Sequence, residues 1–279
     1  MSERQNRLAV AICGAGHSGS TLLGLVLGSH SRAFYAGEAK KSLFVGDPGK
    51  PLRKRVCKIC GEGCEVWSRF AGPRPDLYEA LARITGKSVI VDSTKDVAWI
   101  RARAAELAAI GVPQRLVFLT RDGRAVVNSR LRKYGGADAV AIIDAWIAQV
   151  RATEALCAER TEECLRVRYE ELATAPRETV ERVCAFLGLA FEPAMLRYEQ
   201  HAHHPLGGNT GTQSVVARAL DARSGFAKVP DRSRAFYEGL RGGFRLDLRW
   251  REELPAEVLA LFEERAGRDN APYAWEEGA

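Results

Sequence analysis

The sequence predicts an α/β fold, an open and mostly parallel sheet with helices on both faces. Three observations carry that prediction. Leu8–Cys13 is a near-continuous apolar run, which suits a central strand covered on both sides better than one with a wet face. Short runs of the same kind recur at residues 88–91, 115–119 and 165–167, with Cys164 before the last. They alternate with helically spaced stretches at residues 76–85, 97–110, 124–133, 139–159 and 176–187. Each run also hands over to polar groups: residues 14–21, then Asp92-Ser93-Thr94-Lys95-Asp96, then Thr120-Arg121-Asp122-Gly123-Arg124, then Arg168-Tyr169-Glu170-Glu171. If the strands are parallel, these groups meet on the edge of the sheet where such folds bind ligands.

Length and composition set the bounds. With 279 residues, 46% apolar and 27% charged, the chain is long enough for one domain, 1–279, with a full core. Residues 44–75 hold glycines, prolines, basic residues and three cysteines in an irregular insertion, expected to form a wall on the substrate side. A net charge of +6 favours anionic ligands, and basic residues scattered among acidic ones argue against a nucleic-acid groove. A polar opening and the lack of any apolar run of 18 residues give the expectation of a cytoplasmic protein without membrane contact, and leave a homo-oligomer open.

Each strand and its sequel can be justified in turn. After Leu8–Cys13 comes Gly14-Ala15-Gly16-His17-Ser18-Gly19-Ser20-Thr21, and an apolar helical run follows at once. A strand, a glycine-rich turn and a helix N-terminus aim backbone N–H groups at one point, which makes a phosphate cradle of P-loop type. Gly14, Gly19 and Thr21 fall close to the G-x4-G-K-S/T spacing, but Ser20 stands where lysine belongs. Without that cation an ordinary ATP or GTP enzyme is disfavoured, and another phosphate-bearing ligand is expected. After residues 115–119, Arg121 can offer a planar fork of donors to a dianion at the start of a helix. Lys133 is a further basic contact, with Arg132 its competitor.

Seven cysteines are present. Cys13, Cys164 and Cys184 lie in apolar segments and read as reduced, buried thiols. Cys57, Cys60 and Cys64 could open a zinc site, but a structural site wants four ligands and no second CxxC follows. A local disulfide or packed thiols is the expectation, with no metal. His201, His203 and His204 have no cysteine or carboxylate at a suitable spacing.

Two linked signatures resemble the sulfotransferases that use 3'-phosphoadenosine 5'-phosphosulfate (PAPS). GAGHSGSTLL is similar to their 5'-phosphosulfate loop, and RDGRAVVNSRLRK, residues 121–133, resembles their 3'-phosphate motif. The closest likeness is to the tyrosylprotein type and related bacterial enzymes. The resemblance implies cofactor contacts from Gly16, His17, Ser18, Gly19, Ser20 and Thr21, from Arg121, Ser129 and Lys133, from Tyr169 in the V-x-Y-E segment, and from Asn209 at the end of HHPLGGN. It also implies a last contact from Arg223, or else Lys228. Glu38 of the Gly37-Glu38 pair would be the catalytic base, with Asp92 the first substitute. Lys95 and His17 would stand near the bridging oxygen of the donor. No metal would be required. A small-molecule hydroxyl, or an amine, is the expected acceptor. His17 departs from the lysine or arginine usual in the family; beside an anion its charged form should be favoured. The alternatives from other classes are a phosphotransferase using ATP and a non-catalytic nucleotide-binding or zinc-organised module.

Overall fold

The computed structural model describes residues 3–222, 225–229, 231–240 and 243–276. Its centre is a five-stranded sheet in the order β2-β3-β1-β4-β5, with β1 Leu8–Cys13, β2 Ala33–Gly37, β3 Val89–Asp92, β4 Gln114–Thr120 and β5 Cys164–Arg168. All four strand pairings are parallel. In β1 every residue is buried, as the unbroken apolar run requires. On either side of the sheet lies a separate apolar cluster. One is built around Leu23, Leu25, Tyr35, Leu81 and Tyr198, the other around Phe118, Trp146, Phe262 and Tyr273.

The helices are α1 Ser20–Gly28, α2 Leu52–Arg55, α3 Leu77–Thr85, α4 Val97–Ala108, α5 Gly123–Lys133, α6 Ala139–Ala158, α7 Tyr169–Thr174, α8 Pro176–Leu187, α9 Thr210–Ala219, α10 Arg234–Glu238, α11 Trp250–Glu253 and α12 Ala256–Asn270. The predicted strands and helices up to residue 187 stand where the spacing placed them, within two residues at each end. The short helices α2 and α7 were not foreseen, and neither was β2. Its sequence AFYAG contains poor strand formers, and its register against β3 makes it a strand: Ala33 lies opposite Val89 and Phe34 opposite Ile90. Tyr35 fixes it from the other side by filling the groove that Gly24 and Gly28 leave on α1, where a Cβ would come within 2.3 and 2.6 Å of the tyrosine.

Strand order reverses at β1, whose neighbours are β3 on one side and β4 on the other. The turns after β1 and β4 therefore leave in different directions and open a crevice. Gly37 ends β2 at φ 80°, in close contact with a segment far along the chain. Leu206 N donates to Ala36 O at 2.9 Å, and Glu38 N donates to Leu206 O at 2.6 Å.

One expectation about the cysteines is corrected and another is narrowed. Cys164 is not a free thiol but is joined to Cys157 in a disulfide, across the turn between α6 and β5, where a spacing of seven gives no sequence signal. Cys57, Cys60 and Cys64 form no disulfide among the described residues, and His204 is brought against them. Trp67 is a core residue, packed on Phe70 and donating to His204 O at 2.6 Å.

Candidate functional site

A cleft of about 760 Å³ opens at the carboxyl edge of the sheet. Seven lysines and arginines line it (Lys41, Lys95, Arg121, Arg130, Lys133, Arg245 and Arg249) against three carboxylates, Glu38, Asp138 and Asp247. That excess of cations selects an anionic ligand.

The floor is the turn after β1. Gly14 (φ 125°), His17 (φ 76°) and Gly19 (φ 91°) all have positive φ. The alternation of hand turns successive N–H groups toward one point, and Gly19 leads into α1 without any side-chain cap. Gly16, His17, Gly19, Ser20 and Thr21 line the cleft. Ser18 is buried and does not. Gly19 has a second reason to be glycine, since a Cβ there would lie 2.6 Å from the Tyr169 ring.

β4 and α5 supply the wall. Arg121 Nη1 donates to His17 O at 3.0 Å, so the arginine faces the turn. Its guanidinium lies 4.4 Å from the centroid of the Tyr169 ring. Arg121 Nη2 meets Asp247 Oδ2 at 3.2 Å, and Arg249 binds the same carboxylate at 2.7 and 2.8 Å. Burial would raise the Asp247 pKa, but the two arginines outweigh it and hold the carboxyl below its usual range. Arg121 Nε is buried and has no hydrogen-bond partner among the described residues, an unspent donor in a site lined by cations. Ser129, two turns along α5, shares a 2.8 Å hydrogen bond with His17 Nδ1. Lys133 lines the cleft, whereas its competitor Arg132 pairs with Glu253 at 3.2 Å.

His17 sits among cations. Burial first, then Lys133, Arg130, Arg121 and Lys95, push its pKa down to about 3. In this chain alone the imidazole is neutral, so the positive charge expected of it depends on a bound anion. Lys95 donates to Ser93 O at 2.8 Å, and burial holds its ammonium below the usual lysine range against the pull of Glu38 and Asp92. Glu38 is half-buried and ion-paired to Lys41 at 2.6 Å. Burial raises its pKa, but Lys95 and Lys41 overcome that and keep it ionised. Both members of this ion pair line the cleft.

Asp92, the substitute base, is fully engaged elsewhere. It accepts from Ala39 N at 3.0 Å, Thr94 N at 2.7 Å, Tyr78 Oη at 2.8 Å and Trp99 Nε1 at 2.8 Å, and it does not line the cleft. Asn209 does line it, but its side chain caps α9 by accepting from Thr212 N at 3.0 Å, while its N–H donates to Thr21 Oγ1 at 2.9 Å. Arg223 lies outside the described residues, and Lys228 is exposed and away from the cleft. The basic residues that the late chain does supply are Arg245 and Arg249, which flank the Phe236 ring at 4.8 and 4.4 Å. No motif marked them. Residues 44–75 contribute nothing to the cleft lining, so this cleft does not have the wall expected of them.

Comparison with known proteins agrees with this geometry. Residues 95–193 match the model described as "Sulfotransferase family", a stretch that contains Lys95, Arg121, Ser129, Lys133 and Tyr169. A Caenorhabditis elegans relative with a provisional protein-tyrosine sulfotransferase name is 30% identical over 91 residues, 30% of this chain and 35% of that protein. Protein-tyrosine sulfotransferase 1 of Danio rerio is 30% identical over 100 residues, 34% of this chain and 28% of that protein. The chain thus matches about a third of the length of these curated relatives. Among solved structures, the sulfotransferase domain from the curacin biosynthetic pathway superposes with a TM-score of 0.55 at 18% identity, covering 94% of this chain and 98% of that one. The sulfotransferase domain of the Synechococcus PCC 7002 olefin synthase gives 0.54 at 21%, covering 95% and 97%. A strand-turn-helix unit, an arginine at the end of β4 and this overall likeness lead to one conclusion: the chain has the sulfotransferase fold over about 94% of its length and matches the sulfotransferase family model over residues 95–193.

Proposed function

We propose that the chain is a sulfotransferase that moves a sulfuryl group from PAPS to the hydroxyl of a small molecule. The observation that supports this most is the approach of Arg121 to the lysine-less turn at His17, with Ser129 hydrogen-bonded to the same histidine. Two anion-binding elements from different strands thereby border one cleft large enough for a nucleotide. The unpartnered Nε of Arg121 fits a phosphate. Asp247, held between Arg121 and Arg249, marks a place where these residues already accept negative charge.

In this reading the chain's residues divide the work. Residues 16–21 would hold the 5'-phosphosulfate, and Arg121, Ser129 and Lys133 the 3'-phosphate. Tyr169 would line the nucleotide pocket and Asn209 its closing loop. Glu38 takes the acceptor's proton as the new O–S bond forms and the bond from sulfur to the donor's bridging oxygen breaks. Lys95 and His17 face that oxygen and offset the charge left on the departing phosphate. Lysine and imidazole donors suffice for this, so the transfer itself needs no metal from this chain.

Thermal-shift measurements test the nucleotide. 3'-Phosphoadenosine 5'-phosphate (PAP) should stabilise the protein without magnesium, whereas stabilisation by ATP with magnesium alone would favour a phosphotransferase. Incubation with isotopically labelled PAPS and two acceptor pools, a metabolite extract and tyrosine-containing peptides, tests the acceptor. Sulfate-sized mass additions confined to the peptides would replace the small-molecule acceptor by protein tyrosine, the activity named for the curated relatives.

A further inference from the structure

Away from the cleft the chain gathers four metal-binding side chains that its spacing does not announce. Cys57, Cys60 and Cys64, from the 44–75 insertion, meet His204, which follows Cys64 by 140 residues. His204 Nδ1 stands 3.3 Å from Cys60 Sγ and 3.4 Å from Cys64 Sγ. All four donor atoms lie within 4.8 Å of one another. Around a tetrahedral zinc, with Zn–S of about 2.3 Å and Zn–N of about 2.0 Å, adjacent donors are separated by roughly 3.5–3.8 Å. Small side-chain adjustments would bring this set to that geometry.

The surroundings are built for such an ion. The N–H groups of Ile59 and Cys60 both point at Cys57 Sγ, each at 3.4 Å, and Gly61, at φ 73°, closes the turn by donating to Cys57 O at 3.1 Å. Two N–H groups aimed at one sulfur favour a thiolate there. The imidazole is oriented as a metal ligand needs: Nδ1 faces the sulfurs and Nε2 faces Glu65 Oε1 at 3.5 Å, which leaves Nδ1 free to donate its lone pair. A disulfide would use two of the sulfurs and leave the third, and the histidine, unexplained. Three soft sulfurs and one imidazole select zinc over magnesium or calcium.

We propose that Cys57, Cys60, Cys64 and His204 bind one zinc ion in a closed, structural site. Its four protein ligands leave no position for substrate, so the ion is a clip rather than a Lewis acid. It fastens the insertion to the segment that ends at Leu206, which is paired with Ala36 and Glu38, and Asn209, which is bonded to Thr21. Lys58 N, donating to Pro205 O at 3.0 Å, and Trp67 reinforce the same joint. The inference stands on these residues whatever nucleotide the cleft binds.

Metal analysis of the full chain, expressed with zinc in the medium and kept reduced, tests it. About one zinc per chain is expected. Cys60→Ser and His204→Ala should lose the ion, and His204→Cys, which restores a four-ligand set, should keep it. If the variants fail to fold, the unaltered chain still decides, because exchange into cobalt(II) should produce the intense visible absorption of a tetrahedral thiolate site. Removing the zinc with a chelator should lower Tm by roughly 5 °C or more, recovered when zinc is returned. A reduced, folded wild-type chain that takes up neither zinc nor cobalt overturns the proposal, and an unchanged Tm after zinc removal overturns the structural role.

Discussion

In the proposed reaction His17 is the residue set among the most cations. A positive φ places it in the cradle, Ser129 fixes its Nδ1, and burial with four neighbouring cations holds its pKa near 3. The sign of the effect on stability follows. A histidine whose folded pKa lies below its unfolded value contributes fully above about pH 6.5, and that contribution is lost as pH falls toward 3. A bound phosphosulfate would reverse the balance of charge. Calorimetry of PAP binding in two buffers of different ionisation enthalpy should therefore register proton uptake by the wild-type chain and less by His17→Gln; equal uptake would make the imidazole a neutral hydrogen-bond partner. His17→Ala should cut turnover by more than about tenfold, and near-normal turnover would remove it from the mechanism. At Glu38 the expected split is different. Glu38→Gln should abolish transfer and leave PAP affinity within about twofold, since the carboxylate is kept ionised to take a proton and the cleft has other groups for the nucleotide. Persistent transfer would exclude Glu38 as the base, and Asp92, held by four donors, could not replace it.

At the scale of elements, the glycine-rich turn and the start of α5 were legible because their chemistry is local. A strand that ends in three glycines, or an arginine followed by a helix, announces its use within a dozen residues. β2 was hidden because AFYAG is short, has alanine or glycine at three of its five positions, and owes its form to pairing with β3 and to the groove on α1. Arg245 and Arg249 were hidden for a related reason, since only tertiary packing around Phe236 and Asp247 brings them to the cleft. His204 was read as lacking ligand partners because the sulfurs it meets are 140 or more residues away in sequence. The joint between β2 and Leu206 can be tested on its own. A Cβ on Gly37 would stand 2.3 Å from Leu206 O and 2.5 Å from Leu206 N, at a φ of 80°. Gly37→Ala should cost about 2 kcal/mol and lower Tm by roughly 4–8 °C. An unchanged Tm would mean that the contact is looser than described.

Across the whole molecule, parallel pairing puts every strand's carboxyl end on one edge, and the strand order makes β1 the point where it reverses. The glycine-rich turn and Arg121 border the same crevice for that reason, although 104 positions separate Arg121 from His17 in sequence. No helix among the described residues is long and apolar enough to cross a membrane. In the proposed function this crevice grips a doubly phosphorylated adenosine by both of its phosphates. Titration calorimetry of the unmodified chain with PAP and with adenosine 5'-phosphate, in magnesium-free buffer, tests it most directly. PAP should bind at least about tenfold tighter, because only PAP carries the second phosphate that would reach the Arg121 side of the cleft. Equal affinity for the two nucleotides would contradict it.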